Sequence, residues 1–105
     1  MKAIVVFITA PNRAEAEKIA EILVKEKIAA CVQILPEITS IYRWRGEIIR
    51  DQEILLLVKT AREKFAELER VVRVNHSYEI PEIIAVSASQ ISEPYFNWLQ
   101  ENTAL

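Results

Sequence analysis

The chain has 105 residues and a mass of 12.1 kDa, enough for one hydrophobic core and too little for two. At 51% hydrophobic and 27% charged residues it is too apolar to remain disordered, and its apolar runs, Ile28 to Val32 and Ile54 to Val58, fall far short of the roughly 18 residues of a membrane helix. A net charge of −2 lacks the basic excess that drives nucleic-acid binding, so neither a membrane nor a nucleic acid is an expected partner.

Lys2 to Thr9 is rich in β-branched residues and stops at Pro11. It reads as a first strand, since no convincing signal-peptide cleavage site follows it. Asn12 stands three residues before Glu15, a helix-start signal, and Ala16, Ile19, Ala20 and Leu23 follow at helical spacing, which predicts a helix over residues 12–27. Ala29 to Leu35 predicts a second strand, interrupted by Pro36 and resumed from Ile38 to Arg45, so a bent or two-part strand is expected. It contains Cys31, the only cysteine. A single thiol forms no internal disulfide, and the cytoplasm is the expected compartment.

Gly46 is the only glycine. That excludes glycine-rich phosphate loops, so no dinucleotide or other organic cofactor is expected, and its place before the next strand, Glu47 to Thr60, marks a hairpin. Phe65, Leu68 and Val72 form the apolar stripe of a second helix ending near Asn75 and His76, and Pro81 then forces extended chain. Ile83 to Ala88 reads as the last strand. Ser92 and Pro94 open a short helix carrying Tyr95, Trp98 and Leu99.

The order β-α-β-β-α-β is the split βαβ, or ferredoxin-like, pattern, an α+β fold, here with an extra C-terminal helix in a single domain over residues 1–105. Right-handed crossovers put both main helices on one face of the sheet. In the first strand, Ile4, Val6 and Ile8 point one way and Ala3, Val5 and Phe7 the other; Ile54, Leu56 and Val58 oppose Leu55 and Leu57 in the third. Both sheet faces call for burial, and a short third helix is too small to cover the second one. A further subunit is therefore expected there.

The candidate chemistry is sparse. His76, the only histidine, lies at a helix C-terminus, where its cation suits the dipole. Cys31 lies among small apolar residues, the setting of an inert buried thiol. Brought together in space with a carboxylate such as Glu82, the two offer ligands for copper or zinc. Tyr42 and Trp44 share one face of the hairpin strand, opposite Arg43 and Arg45. Lys59 ends an apolar run, where an ammonium binds an anion or simply meets solvent. Glu79 and Glu82 flank Pro81, but no nucleophile, histidine and acid fall in a catalytic arrangement, and no enzymatic activity is expected.

Five strings, Ala29 to Pro36, Ser40 to Gly46, Lys59-Thr60, His76 to Ile83 and Tyr95 to Leu99, resemble, in order and over nearly the whole chain, the CutA divalent-cation-tolerance family. The resemblance implies a ferredoxin-like homotrimer, similar in architecture to the PII signalling proteins, with signature residues in its intersubunit clefts. It implies a role in tolerance of copper and other divalent metals, with Cys31, His76 and Glu82 as metal ligands and Tyr42, Trp44, Lys59 and Tyr78 as cleft residues. Two positions depart from the family pattern: Gln33 replaces the usual Asn, and Ser77 replaces the usual Pro, a change expected to loosen the backbone beside His76. A PII-like trimer binding a small anionic metabolite through Lys59 and the aromatics, and a non-catalytic trimeric scaffold, are the alternatives.

Overall fold

The structure, a computed structural model, describes residues 2–104. Its elements are β1 (Ala3–Ala10), α1 (Arg13–Lys25), β2 (Cys31–Trp44), β3 (Glu47–Ala61), α2 (Phe65–Asn75, entered through a short 3-10 turn), β4 (Ile83–Ser87) and α3 (Glu93–Glu101). The strands form one antiparallel sheet in the order β2-β3-β1-β4. Each crossover helix therefore skips one strand, as the ferredoxin-like fold requires.

α1 begins where the sequence marks it. The Asn12 side chain accepts the Glu15 N–H at 2.8 Å, which satisfies one of the donors a helix N-terminus leaves free. The buried stripe of α1 is Ala16, Ile19, Ala20 and Leu23, and that of α2 is Leu68 and Val72. Both stripes pack on Ile4, Val6, Ile8, Leu56 and Val58, one parity of the two central strands, to make the main core.

Two local features set the course of β2 and its hairpin. β2 continues through Pro36 as one strand, with a register slip between Leu35 and Ile38. Pro36 has no N–H to donate, but β2 is the edge of the sheet, where a bulge absorbs the missing bond. At the hairpin tip, Arg45 joins Gly46 in the left-handed region, with φ of 50° and 81°. Two consecutive left-handed residues give the turn whose twist matches the flanking strands, so Arg45 accepts a conformation that favours glycine. The hairpin arm beyond the bulge extends the molecule to 44 Å along its longest axis.

The opposite sheet face is laid out in cross-strand rows. One row reads Cys31, Lys59, Val5 and Val86; the next reads Gln33, Leu57, Phe7 and Ile84; a third begins Leu35, Leu55 and Thr9. α3 covers only the end of this face, where Leu99 and Phe96 meet Ala3, Ala30 and Ala61. Ile84 and Val86 remain 55% and 51% exposed.

Candidate functional site: an acidic, aromatic groove

The open face runs into a groove at the far end of the sheet. On β3 the face of Lys59, Leu57 and Leu55 continues through Glu53 to Asp51, because alternate residues of a strand share a side. Opposite Asp51 and Ile49, β2 places Ser40 and Tyr42. The loop from His76 to Glu82, between α2 and β4, closes the other wall. The resulting cavity, about 640 Å3, is lined by three carboxylates (Glu53, Glu79, Glu82), three aromatic rings (Tyr42, Trp44, Tyr78) and neutral residues including Thr9 and Ser77.

His76 holds that loop in place. Its Nε2 is 2.7 Å from the Thr9 carbonyl and its Nδ1 is 3.1 Å from the Tyr78 N–H, a pattern met by the neutral ring with the proton on Nε2. The ring thus donates to the end of β1 and accepts from the loop. Glu15 of α1, whose Oε2 lies 3.3 Å from Nδ1, secures the next residue instead, accepting both the Ser77 N–H at 2.9 Å and the Ser77 hydroxyl at 3.1 Å. A proline at position 77 has neither donor. Ser77 therefore ties the backbone to α1 instead of loosening it.

With the loop fixed, the Tyr78 hydroxyl donates to Glu53 Oε2 at 2.8 Å, and the Tyr42 hydroxyl donates to Asp51. Glu53 is only 5% exposed. Among the described residues it has no Lys, Arg or His partner, and its one bonded neighbour is the neutral phenol. The carboxylates act on their surroundings. Partial desolvation, reinforced by the charge of Glu53, raises the Glu82 carboxyl above its ordinary pKa. Hydrogen bonding to Asp51 pushes the Tyr42 phenol up to about 12, and burial together with the bond to Glu53 raises Tyr78 further.

Of the residues singled out in the sequence, Tyr42, Trp44, Tyr78 and Glu82 line this groove, and His76 stands behind it as a loop support. Cys31 and Lys59 do not line it. They pair across β2 and β3 on the open face, where the Lys59 ammonium donates to the Gln33 side chain and Cys31 neighbours the Tyr95 hydroxyl. Cys31, His76 and Glu82 are not brought together, and among the described residues no three His, Cys, Asp or Glu side chains form a metal-holding group. Glu53 and Asp51 were missed in the sequence, and Glu15 was read there only as part of a helix start. The available signal was two acids at alternate positions of β3, on the parity of Leu55 and Leu57, where the open face turns polar.

The family profile described as CutA1 divalent ion tolerance protein matches residues 4–102. The divalent-cation tolerance protein CutA of Thermus thermophilus is 50% identical over 94% of this chain and 96% of its own. A solved structure of the Thermus thermophilus divalent cation tolerance protein superimposes with a TM-score of 0.95 at 48% identity, covering 97% of this chain and 99% of that one. The structure named as the periplasmic divalent cation tolerance protein CutA of Archaeoglobus fulgidus gives 0.94 at 39% identity, covering 96% and 98%. Plant and animal relatives are longer, and the chain spans 56% of the Arabidopsis thaliana protein and 54% of the human one. A match over nearly the whole chain, in sequence and in fold alike, establishes that the chain belongs to the CutA1 divalent ion tolerance family.

Proposed function

We propose that the protein is a non-catalytic, cytoplasmic homotrimer that binds divalent cations, copper among them, in metal homeostasis, and that the cation enters through the acidic groove. The observation that carries the reading is Glu53, a carboxylate 5% exposed with no cationic partner among the described residues, beside Glu82 in a groove whose lining contains no Lys, Arg or His. Two carboxylates held close together repel, and a divalent cation between them relieves that repulsion better than a proton on one of them. Oxygen donors suit several divalent ions, and for any one donor set the Irving–Williams order places Cu(II) highest of the first row. The remaining coordination positions fall to water or to a second subunit. The trimer is supported by the apolar rows of the open face, which run directly into the groove, so that a subunit covering them also approaches Glu53 and Glu82.

An anionic metabolite is disfavoured by the same charges, since it meets three carboxylates in the groove while Lys59 lies outside it. Calorimetric titration with Cu(II) and Mn(II) at pH 7.5 and pH 5 tests the reading. Binding is expected at pH 7.5, weaker at pH 5 where protons compete for the carboxylates, and lost in Glu53→Gln and Glu82→Gln. Binding that survives both substitutions but disappears in Cys31→Ser places the metal elsewhere and overturns it.

A further inference from the structure

The groove is far larger than a metal ion needs. A single ion occupies one point, whereas this cavity of about 640 Å3 has a buried acid at its floor, a second cationic station at its rim, and aromatic walls between. The rim station is already in use by the chain itself. Arg45, held in the left-handed turn, places its guanidinium carbon 5.3 Å from the centre of the Trp44 ring and an Nη2 3.5 Å from Glu79 Oε1. That is recognition of an organic cation, by an aromatic face and a carboxylate together. Both partners are largely exposed, at 72% and 68%, so the contact is weak and displaceable. Nothing comparable occupies the floor: among the described residues, Glu53 has only the Tyr78 hydroxyl as a hydrogen-bond partner, and Glu82 forms no salt bridge.

We propose that the groove binds a small organic dication of the diamine or guanidino-amine class, one cationic end at Glu53 and Glu82 and the other between Trp44 and Glu79, in place of Arg45. The proposal rests on the reading of this groove as a cation site and adds a second class of cation to it. Two tethered charges matter because engaging the first end makes the second contact intramolecular, which raises affinity beyond that of either end alone. The aromatic rings account for what a metal leaves unused, since Trp44, Tyr42 and Tyr78 present faces and edges to a short alkyl chain and its charged ends.

The test is calorimetric titration of the intact protein with agmatine, which carries an ammonium and a guanidinium, against n-butylamine, which carries one charge, with Cu(II) titrated in parallel. Agmatine is expected to bind more tightly than n-butylamine by about tenfold or more, as two tethered contacts require. Glu53→Gln, which keeps an acceptor for Tyr78, weakens agmatine by about tenfold or more through loss of the charge-assisted contact. Trp44→Leu, at a ring 37% exposed in the single chain, weakens it about threefold or more in a variant whose circular dichroism matches the parent. Arg45→Ala tightens it, because the resident guanidinium no longer competes. Equal affinity for the two amines, or agmatine binding unchanged in both Glu53→Gln and Trp44→Leu, overturns the proposal. Cu(II) binding without agmatine binding removes this inference and leaves the divalent-cation reading standing; agmatine binding without Cu(II) binding does the reverse.

Discussion

Tyr78→Phe isolates the contact on which the groove depends. The substitution removes one hydroxyl, the donor that reaches Glu53 Oε2 at 2.8 Å, and keeps the ring that lies 4.8 Å from the centre of His76. Packing is therefore preserved and only the hydrogen bond is lost. Bonds to charged groups contribute about 1.5–3 kcal/mol, and the groove admits water to the vacated side of the carboxylate, so the expected loss is at the lower end, about 1.5 kcal/mol. Tyr42→Phe is the internal control. It removes the matching bond to Asp51, but Tyr42 stands exposed on the hairpin arm, where water replaces the partner, and no measurable change is expected. Chemical denaturation of both variants at one protein concentration provides the comparison, since an assembling protein gains stability with concentration. If the two variants unfold together within about 0.5 kcal/mol, the Glu53 carboxylate does not rely on Tyr78 and the account of the groove is wrong.

Leu56 is fully buried against the helices and Leu57 faces the open side, so Leu56→Glu is expected to abolish folding, whereas Leu57→Glu leaves a folded chain that no longer assembles, as read by circular dichroism and light scattering. Because its folded pKa is raised, the Glu82 carboxyl holds its proton more tightly in the native state, and ionising it costs stability as the pH rises through the carboxylate range. Glu82→Gln should therefore raise the melting temperature at pH 7, with the gain shrinking as the pH falls through the raised carboxyl's own range and gone below about 4.3, the ordinary glutamate value. All three tyrosines have raised pKa values in the native protein, so ultraviolet titration should show phenolate forming at higher pH than in the denatured chain, which titrates near 10 as usual. The sign follows from linkage: between those values the native state binds more protons, so stability falls as the pH rises past about 10.

The architecture was legible because its signals are local and periodic. Asn12 with Glu15, the two parities of β1, and Leu68 with Val72 each encode an element without help from distant residues. Pro36 marked where β2 bends, and the strand runs on past it because a missing N–H is tolerated at the sheet edge, a placement that is a tertiary fact. The groove was half legible. Tyr42, Trp44, Tyr78 and Glu82 stood out by type, but Glu53 reaches them only through the β2–β3 register and the seating of the loop, neither of which spacing reveals. Cys31 and Lys59 illustrate the converse, as residues with chemical promise that the fold sets beside each other on the open face, outside the groove. His76 looked like a ligand because imidazole is a good one. Both of its nitrogens are engaged by backbone groups, which only the folded loop discloses.

The proposed cation site lies between Glu53 and Glu82. The most direct measurement is an anomalous difference map from crystals of the intact protein soaked in Mn(II), because Mn(II) favours oxygen donors and its anomalous signal locates it without reference to any assumed site. A peak is expected in the groove, within coordinating distance of Glu53 or Glu82. A peak at Cys31 or at the His76 ring, with the groove empty, would contradict it.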